Sequence, residues 1–573
     1  MTTTPLRSAA LPSPRGRFTR SVDRALSRAL GLPPATTDYT VTRDIPIPMR
    51  DGVELLADHY APATTSPAGT LLIRGPYGRS GLRSILSARP YAQRGYHVVF
   101  QSARGTFGSG DVFTPGMHEV DDGADTVAWL RRQNWFTGRF ATMGSSYLGF
   151  TQWALLVDPP PELAAAVITV GPHDLSEAAW GSGAFSLSDL LGWCDSVAHQ
   201  EGGAGLKPLL MALTGNRRVR PALNALPLGA AGRKLLGQGA PWYESWVEHH
   251  DLTAEFWRPT QLRAALDRVR VPVLLISGWQ DMFLGQTLEQ YRRLRGRGAD
   301  VGLTIGPWTH MQLGNRGAPI VARETLAWFD RHLSDRSTRH RGKPVRGKPV
   351  RGKPVRIFVT GGGGWRDLPD WPPASEPTTL YLQPGAALGE AAPPAGAAPS
   401  RFTYDPADPT PTVGGRLLSP VGGYRTDNRL AARADVLTFT GPALSDDLEV
   451  VGTPAVELAH QSDNPHADVF VRLSEVDHRG RSRNVSDGFI RLGPNPGSPL
   501  RMTLDAVAHR FRAGSRIRLL VAGGSHPRFA RNLGTGEPPA TGDRLRRCSH
   551  VIAHGEGGTS KLVLPVVGAL IAP

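Results

Sequence analysis

Seven residues, Met143-Gly144-Ser145-Ser146-Tyr147-Leu148-Gly149, constrain this chain more than any other stretch. They follow a short apolar run, Arg139-Phe140-Ala141-Thr142, and lead into an apolar segment of helical character, Tyr147 to Val157. A Gly-x-Ser between a strand and a helix predicts a turn so tight that its neighbours must be small, hence Gly144 and, one helical turn on, Gly149. Such a turn lifts the Ser146 hydroxyl out of a sheet to where a base and a substrate both reach it. Glycine and serine are common in turns, so the motif gains its weight from the strands downstream of it.

A serine hydroxyl is a weak nucleophile at neutral pH and needs a base, which in turn needs an acid to hold it. On an α/β-hydrolase sheet the chain order is serine, then carboxylate, then histidine. Two downstream strands supply that order. Val271-Pro272-Val273-Leu274-Leu275-Ile276-Ser277-Gly278-Trp279-Gln280-Asp281 reads as a buried parallel strand ending in a carboxylate. Val301-Gly302-Leu303-Thr304-Ile305-Gly306-Pro307-Trp308-Thr309-His310 reads as the next strand, ending in an imidazole. Gln286 to Gly296, between them, is helical in pattern. Asp281 and His310 thus fall at the carboxyl ends of consecutive strands, where open α/β sheets place their sites. Taken singly, Asp281 reads equally well as a helix N-cap, and His310 as one surface histidine among seventeen.

An oxyanion hole needs donors aimed at the developing alkoxide. The N–H of Tyr147, next after the serine, is one. The loop Arg74-Gly75-Pro76-Tyr77-Gly78 after the strand Thr70-Leu71-Leu72-Ile73 offers the Tyr77 phenol as another. On the residues alone, Tyr77 also reads as a plain turn aromatic.

From about Val41 to about Pro565 the chain resembles the CocE/NonD hydrolases, which include cocaine esterase, Xaa-Pro dipeptidyl-peptidase and α-amino-acid ester hydrolases. The resemblance rests on Met49-Arg50-Asp51-Gly52-Val53, Gly75-Pro76-Tyr77, Arg104-Gly105-Thr106-Phe107-Gly108-Ser109-Gly110, Gly144-Ser145-Ser146-Tyr147-Leu148-Gly149, Gly278-Trp279-Gln280-Asp281 and Gly306-Pro307-Trp308-Thr309-His310. It implies Ser146 as nucleophile, His310 as base, Asp281 as its orienter, and Tyr77 with Tyr147 as the oxyanion hole. No metal or cofactor is implied. One departure is visible: where the family commonly has aspartate two residues before the arginine of the Arg-Gly loop, this chain has Ser102.

At 573 residues the chain exceeds one core, so two or three domains are expected. We read residues 1–40 as an N-terminal extension and 41–175 with 262–336 as a split α/β-hydrolase domain. Residues 176–261 read as an inserted helical cap, 337–356 as a basic linker, and 357–573 as an all-β jelly-roll sandwich. The cap carries the helical spacings Leu187-Leu190-Leu191 and Trp242-Trp246-Val247. The sandwich is read from short strands beginning at Ile357-Phe358-Val359 and recurring at Thr379-Leu380-Tyr381-Leu382, Leu448-Glu449-Val450-Val451, Val469–Leu473 and Ile517–Val521. We expect it to serve as packing and an active-site wall rather than to bind sugar. The linker repeats Arg-Gly-Lys-Pro-Val three times between Arg341 and Val355, with too short a period for a solenoid unit. Trp180, Phe185, Trp193 and Phe283 are candidate pocket aromatics, Phe283 foremost because it lies two residues past Asp281 and matches a pocket position in cocaine esterase-like enzymes.

The net charge of +15 would ordinarily suggest nucleic acid, but the arginines are spread along the whole chain and no nucleic-acid motif accompanies them. No run of eighteen apolar residues exists and the start lacks a signal pattern, so no membrane partner and a cytoplasmic location are expected. Phe18 to Leu32 has helical spacing and reads as a frayed or packed extension in preference to a membrane-surface helix. Cys194 and Cys548 do not suggest a disulfide. A homo-oligomer is left open. The expected activity is a serine acyl hydrolase on a small ester or amide, with a carboxylesterase first and an Xaa-Pro dipeptidyl-peptidase second. A non-catalytic binding protein on the same scaffold is the alternative from another class. A peptidase would need a buried carboxylate for its substrate's free amine, with Asp174, Glu177 and Asp189 the nearest in sequence.

Overall fold

The computed structural model describes residues 13–14, 16–201, 217–334, 352–493, 497, 499–555 and 557–568. Most of the Arg-Gly-Lys-Pro-Val repeat lies outside them. The hydrolase unit is built on one of two eleven-stranded sheets. Its strands are β1 (Ser13–Pro14), β2 (Tyr39–Pro48), β3 (Glu54–Pro62), β4 (Gly69–Gly75), β5 (Tyr96–Ser102), β6 (Phe140–Ser145), β7 (Leu163–Thr169), β8 (Val273–Gln280), β9 (Val301–Thr309), β10 (Val355–Val359) and β11 (Gly364–Leu368). They lie in the order β1-β2-β3-β5-β4-β6-β7-β8-β9-β10-β11. From β5 to β10 neighbouring strands run parallel.

The central strands are apolar at nearly every position because both faces are covered, and β4, β7 and β8 are buried throughout. Alternate residues feed two cores. Leu72, Val99, Phe140, Ile168, Leu275 and Leu303 face one, and Leu71, Val98, Ala141, Val167, Leu274 and Ile276 face the other. The chain runs outward from β4 to β5 on one side and then returns to place β6 on the other. The loops after β4 and β6 therefore part in opposite directions, and a crevice opens between them at the carboxyl ends.

Between β7 and β8 the described residues form helices, including Leu175–Trp180, Leu187–His199, Leu228–Leu236 and Trp242–Glu248. They seat against the C-terminal β-rich unit through Ser188 N–H to Pro527 O at 2.9 Å and Ala530 N–H to Phe185 O at 2.8 Å. That unit is all-β sheet, a sandwich in character. Asp468–Val476 lies between Ser482–Arg491 and Arg516–Ala522, with Val469, Val471, Leu473, Leu519 and Val521 in its core.

One element departs from the sequence reading. Ile357-Phe358-Val359 was expected to open the sandwich. Instead β10 adds in parallel to β9, with Val355 opposite Leu303 and Ile357 opposite Ile305, and β11 folds back on it. Apolar alternation fits either sheet; here it covers the hydrogen-bonding edge that β9 would otherwise expose. The N-terminal helix, Arg17–Ala29, is packed: buried Asp23 accepts the Tyr39 hydroxyl at 2.9 Å. Cys194 and Cys548 are buried free thiols.

Gly149, on the helix after β6, comes so close to the strand-end backbone that a Cβ would lie 2.5 Å from Gly171 Cα. Gly149→Ala should force helix and strand apart at a cost of about 1–3 kcal/mol. Gly192 in the cap helix has nothing within 4 Å of a Cβ, so Gly192→Ala should instead stabilise by about 0.5–1 kcal/mol. Paired thermal-unfolding midpoints check both; equal effects would mean the close approach carries no load.

Candidate active site

Ser146 follows directly on β6 with φ 63° and ψ −125°, a backbone conformation that costs a non-glycine residue about 1–3 kcal/mol. Its N–H is tied to Thr169 O on β7 at 2.9 Å, and its C=O accepts the Gly149 N–H at 2.7 Å. A side chain at Gly144 would run into Leu148. The helix Tyr147–Leu155 therefore starts directly beneath the serine. As the first helical residue, Tyr147 has no intrahelical acceptor for its N–H.

Asp281 and His310 meet as the sequence order predicts. His310 Nδ1 lies 2.7 Å from Asp281 Oδ1, and Asp281 is fully buried. Its other oxygen accepts the Ser277 hydroxyl at 3.0 Å and the Phe283 N–H at 3.3 Å. A carboxylate only accepts, so the imidazole proton sits on Nδ1 and the lone pair on Nε2. The register of β8 against β9 shifts between Gly278 and Gln280, turning the chain so that the carboxylate reaches across to the histidine. His310 opens a short helix capped reciprocally by Thr309 and Gln312. Ser146, Asp281 and His310 thus sit at the carboxyl ends of β6, β8 and β9, on one edge of the sheet.

Tyr77, on the loop after β4, accepts the Trp193 Nε1–H at 2.8 Å. The Trp193 ring in turn stacks on Tyr147, with centroids 6.1 Å apart at 13°. The Tyr147 phenol is fixed from below: it donates to Glu119 Oε1 at 3.1 Å and accepts the Gly116 N–H at 2.7 Å. Glu119 is held by Arg74 at 3.0 Å, and burial raises its carboxyl above the ordinary range. Neither Arg74 nor Glu119 is signalled by the sequence, since a lone arginine inside an apolar strand has no partner until the fold supplies one. Ser102, the departure from the family pattern, accepts Arg79 Nη1 at 2.9 Å, and Asp58 supplies that arginine's carboxylate at 3.1 Å. Arg104 is clamped by Asp122, Asp51 and Asp111.

A cavity of about 500 Å³ lies where hydrolase sheet, cap and sandwich meet. Phe283 lines it, with its ring 5.5 Å from that of His310. Trp180 and Phe185, expected in the pocket, are instead packed inside the cap, 2% and 0% exposed, with the Trp180 Nε1–H on Trp246 O. Their helical spacing marks core. Trp193 joins the site through Tyr77. Among the three candidate carboxylates, Asp174 caps its helix and pairs with Arg263, away from the cavity lining. Glu177 and Asp189 do line the cavity, together with Asp487, Asp505, Arg416 and Arg528. Arg528 pairs with Asp487, and Arg416 with Asp505. Asp189 accepts the Leu418 N–H at 2.9 Å and has no salt-bridge partner among the described residues. Burial raises its carboxyl to about 6.

Residues 51–312 match the family model of the X-Pro dipeptidyl-peptidase (S15 family), and residues 350–563 match that of the X-Pro dipeptidyl-peptidase C-terminal non-catalytic domain. Cocaine esterase of Rhodococcus sp. (strain MB1 Bresler) is 31% identical, over 92% of this chain and 99% of that protein. Among solved structures, an aminopeptidase from the marine sediment archaeon Thaumarchaeota archaeon shares the fold at a TM-score of 0.78 with 22% identity, over 94% of this chain and 98% of that one. An α-amino-acid ester hydrolase does so at 0.75 with 24% identity and the same coverage.

Folding moves the Asp189 carboxyl from its ordinary 3.8 up to about 6, so the folded chain binds this proton more tightly than the unfolded chain. Its ionisation therefore weakens the fold progressively as pH rises from about 4 to about 6, and fully above that. Asp189→Asn retains an acceptor for Leu418. It should match wild type near pH 4 and exceed it by a margin that grows to about pH 6 and then levels off, read from thermal midpoints. A pH-independent gap would contradict this account of Asp189.

Proposed function

The chain belongs to the CocE/NonD serine hydrolases of the S15 type, the family of cocaine esterase, and from that premise we propose that its nucleophile is Ser146, served by His310 and Asp281. It is an enzyme that cleaves ester or amide bonds. The observation that carries the assignment is the 2.7 Å Asp281–His310 pair on the same sheet edge as a serine held at positive φ. His310 Nε2 takes the Ser146 proton as the hydroxyl attacks the carbonyl. Asp281 fixes the tautomer and stabilises the imidazolium. The oxyanion is received by the Tyr77 hydroxyl and the Tyr147 N–H. Collapse of the tetrahedral species expels the alcohol or amine, which leaves with the proton from His310. Water, deprotonated by His310, then releases the acid from acyl-Ser146.

Ser146→Ala should abolish turnover of p-nitrophenyl acetate. Tyr77→Phe should lower kcat about 10²–10³-fold with KM little changed, as loss of one oxyanion donor does. Full activity in either variant would refute the assigned role.

A carboxylesterase is our first reading, supported by the identity with cocaine esterase along nearly its whole length. Asp189 supports a second. A buried carboxylate without a direct ion pair is costly, the nearby Arg528 being paired with Asp487, and a cationic amine in the substrate would supply one. An Xaa-Pro dipeptidyl-peptidase or a related acyl-amide hydrolase carries such an amine. Turnover of p-nitrophenyl butyrate against Gly-Pro-p-nitroanilide discriminates. Faster cleavage of the ester, unaffected by Asp189→Asn, supports the esterase. Faster cleavage of the anilide, with KM raised about tenfold or more in Asp189→Asn, replaces it with the peptidase.

We also place the enzyme in the cytoplasm, a reading supported by two buried free thiols. No helix among the described residues is long and apolar enough to cross a membrane. We read the partners as small substrates and not nucleic acid, because many of the arginines are spent internally, as with Arg472 on Asp487 and Arg491 on Asp468.

A further inference from the structure

A second cluster of ionisable groups lies beyond the end of β7, and the acyl-transfer chemistry leaves it unused. His173 stands just after the strand, Glu177 lies in the helix Leu175–Trp180, and Glu289 lies in the helix Leu284–Gly296 that follows Asp281. One ligand atom from each falls within 4.8 Å of the other two. His173 is completely buried. Its Nδ1 faces Gln290 Nε2 at 3.1 Å, whereas its Nε2 has no hydrogen-bond partner among the described residues and looks toward Glu289 Oε2 at 3.6 Å. Gln290 Oε1 is likewise buried and unpartnered. Orphaned polar atoms of this kind are expensive and call for a missing partner.

The charges around the cluster do not balance. Arg263 is shared by Asp174 and Glu177, and Arg293 is shared by Asp267 and Glu289. Four carboxylates thus face two guanidiniums.

We propose that His173, Glu177 and Glu289 form a binding site for one divalent cation of the zinc class, with water completing a tetrahedron. One imidazole nitrogen and two carboxylate oxygens suit zinc in softness and in number. Bonds of about 2.0–2.1 Å put tetrahedral ligands about 3.3 Å apart, so the cluster must close by no more than about 1.5 Å. Glu177 and Glu289 allow this, being long and partly exposed. The Gln290 amide turns, giving up its present Nε2–H bond to Gly171 O at 2.8 Å, so that its oxygen accepts from Nδ1–H, the outer hydrogen bond that orients a ligating histidine. The ion cancels the two surplus negative charges. Its role is structural: it clamps the start of the cap to the helix that carries the chain away from Asp281.

Thermal unfolding of the full-length chain, stripped with chelator and then titrated with Zn²⁺, tests the site without reference to activity. Glu289→Gln is the comparison, since this residue lies near the surface and its amide is isosteric. Wild type should retain one zinc per chain by elemental analysis, and its midpoint should rise by about 3 °C at saturation. Glu289→Gln should show neither. An equal response of wild type and Glu289→Gln, or no response of wild type, overturns the proposal. The same pair hydrolysing p-nitrophenyl acetate at similar rates at 25 °C is expected, and a specific loss in Glu289→Gln would replace the structural role with a catalytic one.

Discussion

The reversal of strand order between β4 and β6 is the constraint on which the site depends. It parts two loops that would otherwise run side by side, and Tyr77 and Ser146 stand on the two lips of the opening. A crevice alone does not hold a serine at positive φ. That strain is offset by the fixed start of the helix Tyr147–Leu155, by the Ser146–Thr169 backbone bond, and by the close contact of Gly149 with Gly171. The turn is thus over-determined by packing on β7, which is the condition for a strained residue to persist.

Three buried carboxylates around the crevice show how environment divides one functional group among roles. Asp281 is surrounded by donors and holds an imidazole. Glu119 is balanced by Arg74 and holds a phenol, so that the neighbouring N–H is presented rigidly. Asp189 receives a single backbone N–H at hydrogen-bond length, from Leu418 in the C-terminal unit, and faces open space. Only the last faces the cavity, with the Ser188 hydroxyl at 3.5 Å and the Arg528 charge as its further company.

The order Ser146, Asp281, His310 was legible because each residue ends a strand whose apolar run is itself legible, and strand ends converge on one edge. The helix–strand alternation was legible for the same reason. Beyond this the sequence falls short wherever a contact joins distant segments. Arg74 and Glu119 are separated by two short helices, a strand and their loops, and nothing local pairs them. Trp180 and Phe185 carry a spacing that serves core and pocket alike, and here it serves the core. The hairpin β10–β11 alternates as a sandwich strand would, and only the open edge of β9 decides where it goes. The cavity could not be read at all, because its walls come from three units.

Paired arginines organise the sandwich's wall of that cavity. Arg472 is fully buried and grips Asp487 through two hydrogen bonds, at 2.7 and 2.9 Å. Arg528 reaches the same carboxylate at 3.1 Å, and Arg416 pairs with Asp505 close by. Such buried pairs contribute little net stability against an apolar alternative, but breaking one leaves an uncompensated charge at a cost of about 3–5 kcal/mol. All of these partners lie within the C-terminal unit, so they penalise wrong pairing of its own strands and loops more than they reward the right one. Arg416 and Arg528 also line the cavity, so the folding of the C-terminal unit sets the charges of that wall. The basic excess of the chain is in part this interior lattice, and Arg528, spent on Asp487, gives Asp189 only a charge at longer range.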